Sequence, residues 1–421
     1  MNIEHSTLDN HKVHKEVTKF TKKKNQQSTT RVHRSFSEGG DNHQPSTINH
    51  QLTTDNPLPT MTKTLILASE FPPQPGGIGN HAYNLAKGLQ ANGFKVQLVC
   101  DTRSGRGEEE RDFDKSLPFE VIRIPRKKII LFSYLKRINT AFSLTSKSEI
   151  LICSGKFSLW LGAFLTFFFK KEFIAIIHGS EVRLPNKVLR KLTDMSLKHF
   201  DKVIAVSNYT KSLVSRLALK NIEVVPNGFE MELPSTIQSK KNPVPVLITV
   251  GNLTQRKGQH NVINALPLLL RKYPDLKYHM VGIPTDKERL ERLALHLGVE
   301  NAVVFFGKIS EEEKIKLLQQ ADVFVMLSET TQTGDAEGFG IAILEANALG
   351  IPAIGSLGCG IEDAIKDGTS GKLINNKDAK QFTEALEEIL NNYGTYSHKA
   401  KNWSKDFTWE KVIGLYLDVL R

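Results

Sequence analysis

Two carboxylates, Glu337 and Glu345, stand eight residues apart around the turn Gly338-Phe339-Gly340, with Ile341 opening the apolar run that follows. Carboxylates accept hydrogen bonds from sugar hydroxyls, as the ribose-binding acid of a dinucleotide fold does. Upstream, residues 323–327 form an apolar run of strand length. Downstream, the pattern over 341–349 predicts a helix closed by Gly350. A strand, a glycine turn and a helix start together make a phosphate cradle. The backbone N–H groups from Gly338 to Ile341 are left free there, and the helix dipole favours an anion. A nucleotide-sugar carries every group such a site would hold: base, ribose, diphosphate and hexose. The plainer alternative is a solvated Glu337 and a surface-paired Glu345.

Three further segments carry candidate chemistry. Residues 250–258 read Val-Gly-Asn-Leu-Thr-Gln-Arg-Lys-Gly, so Asn252, Arg256 and Lys257 follow a strand. Arginine offers a bidentate fork and lysine a point charge, and both suit a diphosphate. Residues 69–80 end the first strand in Gly76-Gly77-Ile78-Gly79, where the backbone can approach a phosphate closely; a bare tight turn reads equally well. The run 173–177 ends in His178-Gly179-Ser180-Glu181, which puts His178 at the carboxyl edge of a parallel strand, facing a cleft. A packed or surface histidine is the alternative. No nucleophile elbow accompanies His178, which argues against a Ser/His/Asp hydrolase.

Taken over residues 328–371, the chain resembles glycosyltransferase family 4, and within it the mannosyltransferases that build lipid-linked glycans. The acid-x7-acid pattern is complete, and Gly360-Ile361-Glu362 and Asp367-Gly368-Thr369-Ser370-Gly371 fall where the family has a glycine turn and a D-G-x-x-G loop. The resemblance extends over roughly residues 61–421. It implies the GT-B fold, retention of configuration without a covalent intermediate, and no metal or other cofactor beyond the nucleotide-sugar itself. It also implies a role for each matched residue. His178 lies near the transferred sugar, Glu337 on sugar hydroxyls and Glu345 on the ribose. Lys257 and the Gly76–Gly77 loop face the donor diphosphate. Asn252 departs from the family, which most often has arginine there, so either Arg256 compensates or leaving-group stabilisation is weaker.

These residues need a scaffold, and the sequence supplies one. Apolar runs at 65–68, 96–99, 121–124, 150–153, 173–177, 203–206 and 223–225 alternate with helical patterns, and a second series follows at 246–250, 278–281, 303–306, 323–327 and 352–355. That is an α/β pattern of parallel sheets. The expected fold is two doubly wound Rossmann-like domains facing across a cleft, at 61–235 and 246–400, with a proline-punctuated linker at 233–245 as the hinge and residues 401–421 forming a helix that crosses back to the first domain. The apolar run 157–169 is expected to be a buried or interface helix. Residues 1–60 are polar, aperiodic and expected to be disordered; they hold six of the thirteen histidines at irregular spacing. Met61 directly precedes the first strand, so a start there, with residues 1–60 as an extension, is an expectation.

Composition bounds the partners. The net charge of +11 is distributed as +2 over residues 1–60, +11 over 61–240 and −2 over 241–421. Between Glu120 and Glu149 there is no acid, while Arg123, Arg126, Lys127, Lys128, Lys136, Arg137 and Lys147 are interleaved with Ile129, Ile130, Leu131, Phe132, Tyr134 and Leu135. That composition suits an anionic membrane surface, with a solvated basic helix as the alternative. No recognition motif points to nucleic acid. Three scattered cysteines argue against a disulfide framework. No apolar run reaches bilayer length and no secretory signal opens the chain, so the expected location is cytoplasmic, peripheral at the inner membrane face. The reading is a retaining transferase moving a hexosyl group from a GDP- or UDP-linked donor to a glycan or lipid-linked acceptor. The competing readings are a nucleotide-sugar epimerase of the same fold, a Rossmann dehydrogenase and a non-catalytic membrane-associated scaffold.

Overall fold

The computed structural model describes residues 61–104, 107–125, 130–234 and 241–420. The expectations for residues 1–60, for Arg126 to Ile129 and for much of the linker lie outside these residues.

Two parallel sheets build the fold. The first comprises β1 (Lys63–Ala68), β2 (Lys95–Asp101), β3 (Glu120–Ile124), β4 (Ile150–Ser154), β5 (Glu172–Ile177), β6 (Lys202–Ala205) and β7 (Ile222–Val224). Its order is β3-β2-β1-β4-β5-β6-β7. The second comprises β8 (Val246–Val250), β9 (Lys277–Val281), β10 (Val303–Gly307), β11 (Val323–Met326), β12 (Ala353–Ser356) and β13 (Gly371–Ile374), in the order β10-β9-β8-β11-β12-β13. In each sheet the strand order reverses beside the first strand, β1 or β8. That reversal opens a crevice at the carboxyl edge, the usual ligand position of doubly wound sheets. The expected two-domain Rossmann-like α/β fold is therefore present. β13, whose Gly-Lys-Leu-Ile carries little strand signal, was not among the expected strands.

Strand alternation explains why both sheet faces are covered. Ile66 and Ala68 of β1 point to one core, with the helix Gly77–Ala91; Leu65 and Leu67 point to the other, with the helix Lys156–Leu165. In β11, Val323 and Val325 face one core and Phe324 and Met326 the opposite one. The C-terminal helix Trp409–Leu420 enters the core of the first sheet through Trp409, Val412, Ile413 and Tyr416. Gly88 lets the helices approach closely there: a Cβ would lie 2.7 Å from the Ile413 side chain.

The 157–169 run is only partly helical. The helix Lys156–Leu165 buries Leu159, Leu161 and Leu165, but Phe164, Phe167 and Phe168 are exposed, Phe167 by 69%. Helical period sets this: six residues of the helix are buried, Phe164 lies on its exposed side, and Phe167 and Phe168 lie beyond its end.

Candidate active site

A cavity of about 440 Å³ opens between the carboxyl edges of the two sheets. Eleven of the twelve candidate residues line it. Gly76 and Gly77 come from the turn after β1, and His178 from the end of β5. Asn252, Arg256 and Lys257 come from the loop after β8, and Glu337, Gly338, Phe339, Gly340 and Ile341 from the loop between β11 and the helix Ile341–Ala348. Glu345, the twelfth, lies one turn into that helix and faces an adjoining cavity, with Asn80 lining both. Among the described residues there is no group of three or more His, Cys, Asp or Glu placed to hold a metal.

Glu337 is the electrostatic centre. Its carboxylate accepts from the Lys257 ammonium at 2.8 Å and from the Arg256 guanidinium, while Arg256 also meets Asp335 at 3.2 Å. The Glu337 side chain is 11% exposed. Burial alone would push its carboxyl up; Lys257 and Arg256 together outweigh burial and hold it down at about 2. Glu337 is thus ionised throughout the physiological range. The two cations expected to meet a diphosphate are held by a carboxylate instead, so a bound diphosphate must share them.

The turn after Glu337 is shaped by close approach. A Cβ on Gly338 would collide with the His178 carbonyl oxygen across the cleft, so only glycine lets the two walls meet. Gly340 has φ +101° and caps the helix, leaving its first N–H groups without intrahelical acceptors. The Phe339 side chain faces away: it is 2% exposed and packs with Phe407, ring centroids 6.0 Å apart. Phe339 is among the residues that line the cavity, while its ring is buried in the core between sheet and helix, which leaves its backbone as the part available to a donor.

His178 accepts or donates through Nε2 to the Ser154 hydroxyl at 2.9 Å, and its ring meets that of His81 edge-on at 4.9 Å. Burial pushes its imidazolium down to about 4, so His178 is neutral at pH 7. His81 is fully buried and hydrogen-bonded to the Tyr416 hydroxyl at 2.7 Å, which ties the C-terminal helix to the cleft wall.

Several neighbours were not anticipated. Lys314, from the helix Glu311–Gln319, pairs with Glu345 at 3.1 Å and with Glu311 at 2.6 Å. Burial pushes the Glu345 carboxyl up, and Lys314 only partly offsets this. Glu70 lies over Gly76, where a Cβ would overlap its carboxylate, and Arg103 stands 3.8 Å from it. A carboxylate beside the Gly76–Gly77 turn suits a hydroxyl better than a phosphate.

Glu181 is buried and accepts from the His178 backbone N–H at 3.1 Å; its second oxygen has no partner. Burial raises its carboxyl to about 7. An acid with a raised folded pKa destabilises the fold once pH exceeds its unfolded value, near 4.3. Stability therefore falls as pH rises from about 4.3 to about 7 and is level above that. Glu181→Gln keeps the acceptor and removes the titration. Urea unfolding midpoints should rise for this variant at pH 8, by roughly 3 kcal/mol of stability, and match the parent near pH 4; parallel pH curves for the two would refute the assignment.

The chain is similar to known proteins. The family profile described as "Glycosyltransferase Family 4" matches residues 75–233, and that described as "Glycosyl transferases group 1" matches residues 234–406. The GDP-mannose-dependent monoacylated alpha-(1-6)-phosphatidylinositol monomannoside mannosyltransferase of Corynebacterium glutamicum is 27% identical over 388 residues, covering 84% of this chain and 97% of that protein. The GDP-mannose-dependent alpha-(1-6)-phosphatidylinositol monomannoside mannosyltransferase of Mycolicibacterium smegmatis is 28% identical, covering 77% and 88%. Among solved structures, Anabaena Alr3699/HepE in complex with UDP and glucose superposes with a TM-score of 0.69 at 19% identity, covering 85% of this chain and 99% of the other, a likeness of fold. The two matches run consecutively through both sheets and the cleft between them, and the chain belongs to the family 4, group 1 glycosyltransferases of GT-B fold.

Proposed function

We propose that the cleft transfers a hexosyl group, with retention of configuration, from a nucleoside-diphosphate sugar to a hydroxyl of a glycan or lipid-linked acceptor. The observation that carries this reading is the buried, ionised Glu337 held by Lys257 and Arg256, opposite neutral His178. The bond from the anomeric carbon to the diphosphate oxygen breaks, a bond to the acceptor oxygen forms, and the acceptor proton leaves with the nucleoside diphosphate. Negative charge grows on the departing oxygens. Lys257, Arg256 and the N–H groups from Gly338 to Ile341 stabilise it, with Asn252 adding a neutral hydrogen bond. Glu337 accepts from sugar hydroxyls, Glu345 positions the ribose with Lys314 behind it, and His178 hydrogen-bonds the sugar or the incoming hydroxyl. Gly76 and Gly77 bring the opposite backbone against the donor. The mannosyltransferase relatives use GDP-mannose by name, which favours a GDP-linked donor here.

Location at the inner face of the membrane belongs to the same proposal. Leu131, Phe132 and Leu135 are exposed on the helix Ile130–Thr145, and Phe142 of that helix meets Phe168 at 5.6 Å, so the exposed phenylalanines adjoin it. Lys136 and Lys147 belong to the same segment. Arg137 is instead bound to Asp101 and lies over the Phe157 ring. An apolar face with flanking lysines suits an anionic lipid surface. No helix among the described residues is long and apolar enough to cross a membrane.

Thermal stabilisation of the full chain by GDP- and UDP-sugars, with and without EDTA, tests the function. A ligand at a hundred times its Kd stabilises by about 2.7 kcal/mol. One nucleotide class should raise Tm by several degrees whether or not EDTA is present. No shift with any nucleotide-sugar would overturn the reading.

A further inference from the structure

The second sheet carries helices on both faces. The helix Ile341–Ala348 of the cleft packs on the face that holds Phe324 and Met326. The helices Gln259–Lys272 and Ala379–Asn391 pack on the opposite face, with Val323 and Val325. Where the first turns of these two helices meet the chain leaving β11 there is a cavity of about 400 Å³. It lies in the size range of small-molecule sites. It shares no lining residue with the catalytic cleft. Its wall is nevertheless tied to the loop that carries Arg256 and Lys257. Glu329 donates its backbone N–H to the Arg256 carbonyl at 3.0 Å, and its carboxylate accepts from the Gln255 amide at 2.9 Å.

The polar groups lining this cavity are under-used. The His260 side chain is 13% exposed, and its Nδ1 is buried without a partner, an arrangement that costs stability until something supplies one. Burial pushes the His260 imidazolium down, so the ring is neutral at pH 7. Its proton belongs on Nε2, which faces the Glu329 carboxylate at 3.4 Å, and Nδ1 is left as an acceptor. Gln255 and His260 both meet Oε1 of Glu329, leaving Oε2 over. Asn376 uses only its amide nitrogen, on the Ser328 carbonyl at 3.0 Å. The Asn264 side chain has no partner among the described residues.

This set selects a ligand class. The lining has two carboxylates, Glu329 and Asp378, and one cation, Lys377, so an anion is disfavoured. No group of three or more His, Cys, Asp or Glu among the described residues is placed to hold a metal. An apolar ligand would leave His260 Nδ1 buried and unpaired. A polyol supplies what the wall lacks, because each hydroxyl both donates and accepts. Ala265, Leu327 and Phe382 complete the lining with apolar surface, which suits the C–H face of a pyranose ring.

We propose that this cavity is a second carbohydrate site, which takes one hexopyranose unit other than the transferred sugar. Asn264 and Lys377 are exposed, so the cavity opens to solvent and admits either a free hexose or the terminal unit of a glycan. Such a site is independent of the transfer reaction in the cleft.

Ligand-observed NMR titration of the full chain with D-mannose, D-glucose and D-galactose tests it. At least one should bind saturably with a Kd of roughly a millimolar, the scale set by about a dozen heavy atoms. Asn264→Leu and His260→Phe should each weaken that binding about fivefold or more, the loss of one hydrogen bond. Glu337→Gln, in the cleft, should leave it unchanged. Unfolding midpoints report whether the variants fold, and Asn264 is exposed, so its variant should keep the parent's midpoint even if His260→Phe does not. The methyl α-glycoside of the bound sugar separates the two sources: retained binding admits the end of a glycan, and lost binding restricts the site to the free hexose. Inorganic phosphate should not compete. No saturable binding of any of the three sugars, competition by phosphate, or binding that is lost in Glu337→Gln but kept in Asn264→Leu would each overturn the assignment. Failure of the cleft to bind any nucleotide-sugar would overturn the transferase reading and leave this site standing.

Discussion

Glu337→Gln should lower kcat by about 10²- to 10³-fold while leaving affinity for the nucleoside diphosphate unchanged or tighter. The first effect follows from removing a charge aimed at the reacting sugar in a site shielded from water. The second follows from the ion pairs: Lys257 and Arg256 are held by Glu337 and become available to phosphate oxygens without it. A purely structural carboxylate predicts the reverse, with diphosphate affinity falling in step with activity. The fold itself should respond at low pH. Glu337 has its carboxyl held down at about 2, so its pairing stabilises the protein fully above the unfolded value near 4.3 and is lost as pH falls towards 2. Acid unfolding of the glutamine variant should lack this step. Steady-state kinetics with diphosphate titrations, and unfolding between pH 2 and 6, separate the two accounts.

Lys257→Ala should cost about 10²- to 10³-fold in kcat/KM, with a rise in KM that the Glu337 variant does not share. Lys257 is asked to stabilise charge on the leaving diphosphate and also to keep Glu337 ionised. Removing it takes away the first-named of the two cations that hold the Glu337 carboxyl down, so the acid limb of the pH–rate profile should move towards neutrality. Lys257→Arg should recover only part of the loss. Lysine brings a compact point charge 2.8 Å from Glu337, whereas arginine spreads its charge over a planar fork with different donor positions. Profiles of kcat/KM over pH 4–8 are the measurement. An unmoved acid limb in Lys257→Ala would break the link to Glu337.

What the sequence made legible was local. The run 323–327, the Gly338–Gly340 turn and the helix closed by Gly350 are contiguous, and neighbouring residues fix their geometry: Gly340 and Gly350 both have positive φ. The alternation in β1 and β11 placed their residues in opposite cores for the same reason. What stayed hidden was decided by distance along the chain. Glu337 meets Arg256 across 81 residues, and His81 meets Tyr416 across 335. The Lys314–Glu345 pair joins two helices that no spacing rule connects. Glu70 stood inside the quoted glycine segment, yet only the fold of the Pro72-Pro73 turn brings it back over Gly76. The inward turn of the Phe339 ring was not legible either, because a turn, unlike a helix or strand, has no period to say which side chain points inward. In the basic segment, composition cannot tell a free cation from Arg137, which Asp101 has already claimed.

The most direct test of the central claim is release of nucleoside diphosphate from GDP- and UDP-sugars by the full chain, measured side by side with Glu337→Gln and with EDTA present and absent. The account predicts steady release from one nucleotide class, unchanged by EDTA and at least a hundredfold slower in the variant. No release from any nucleotide-sugar, or equal release by the variant, would contradict it.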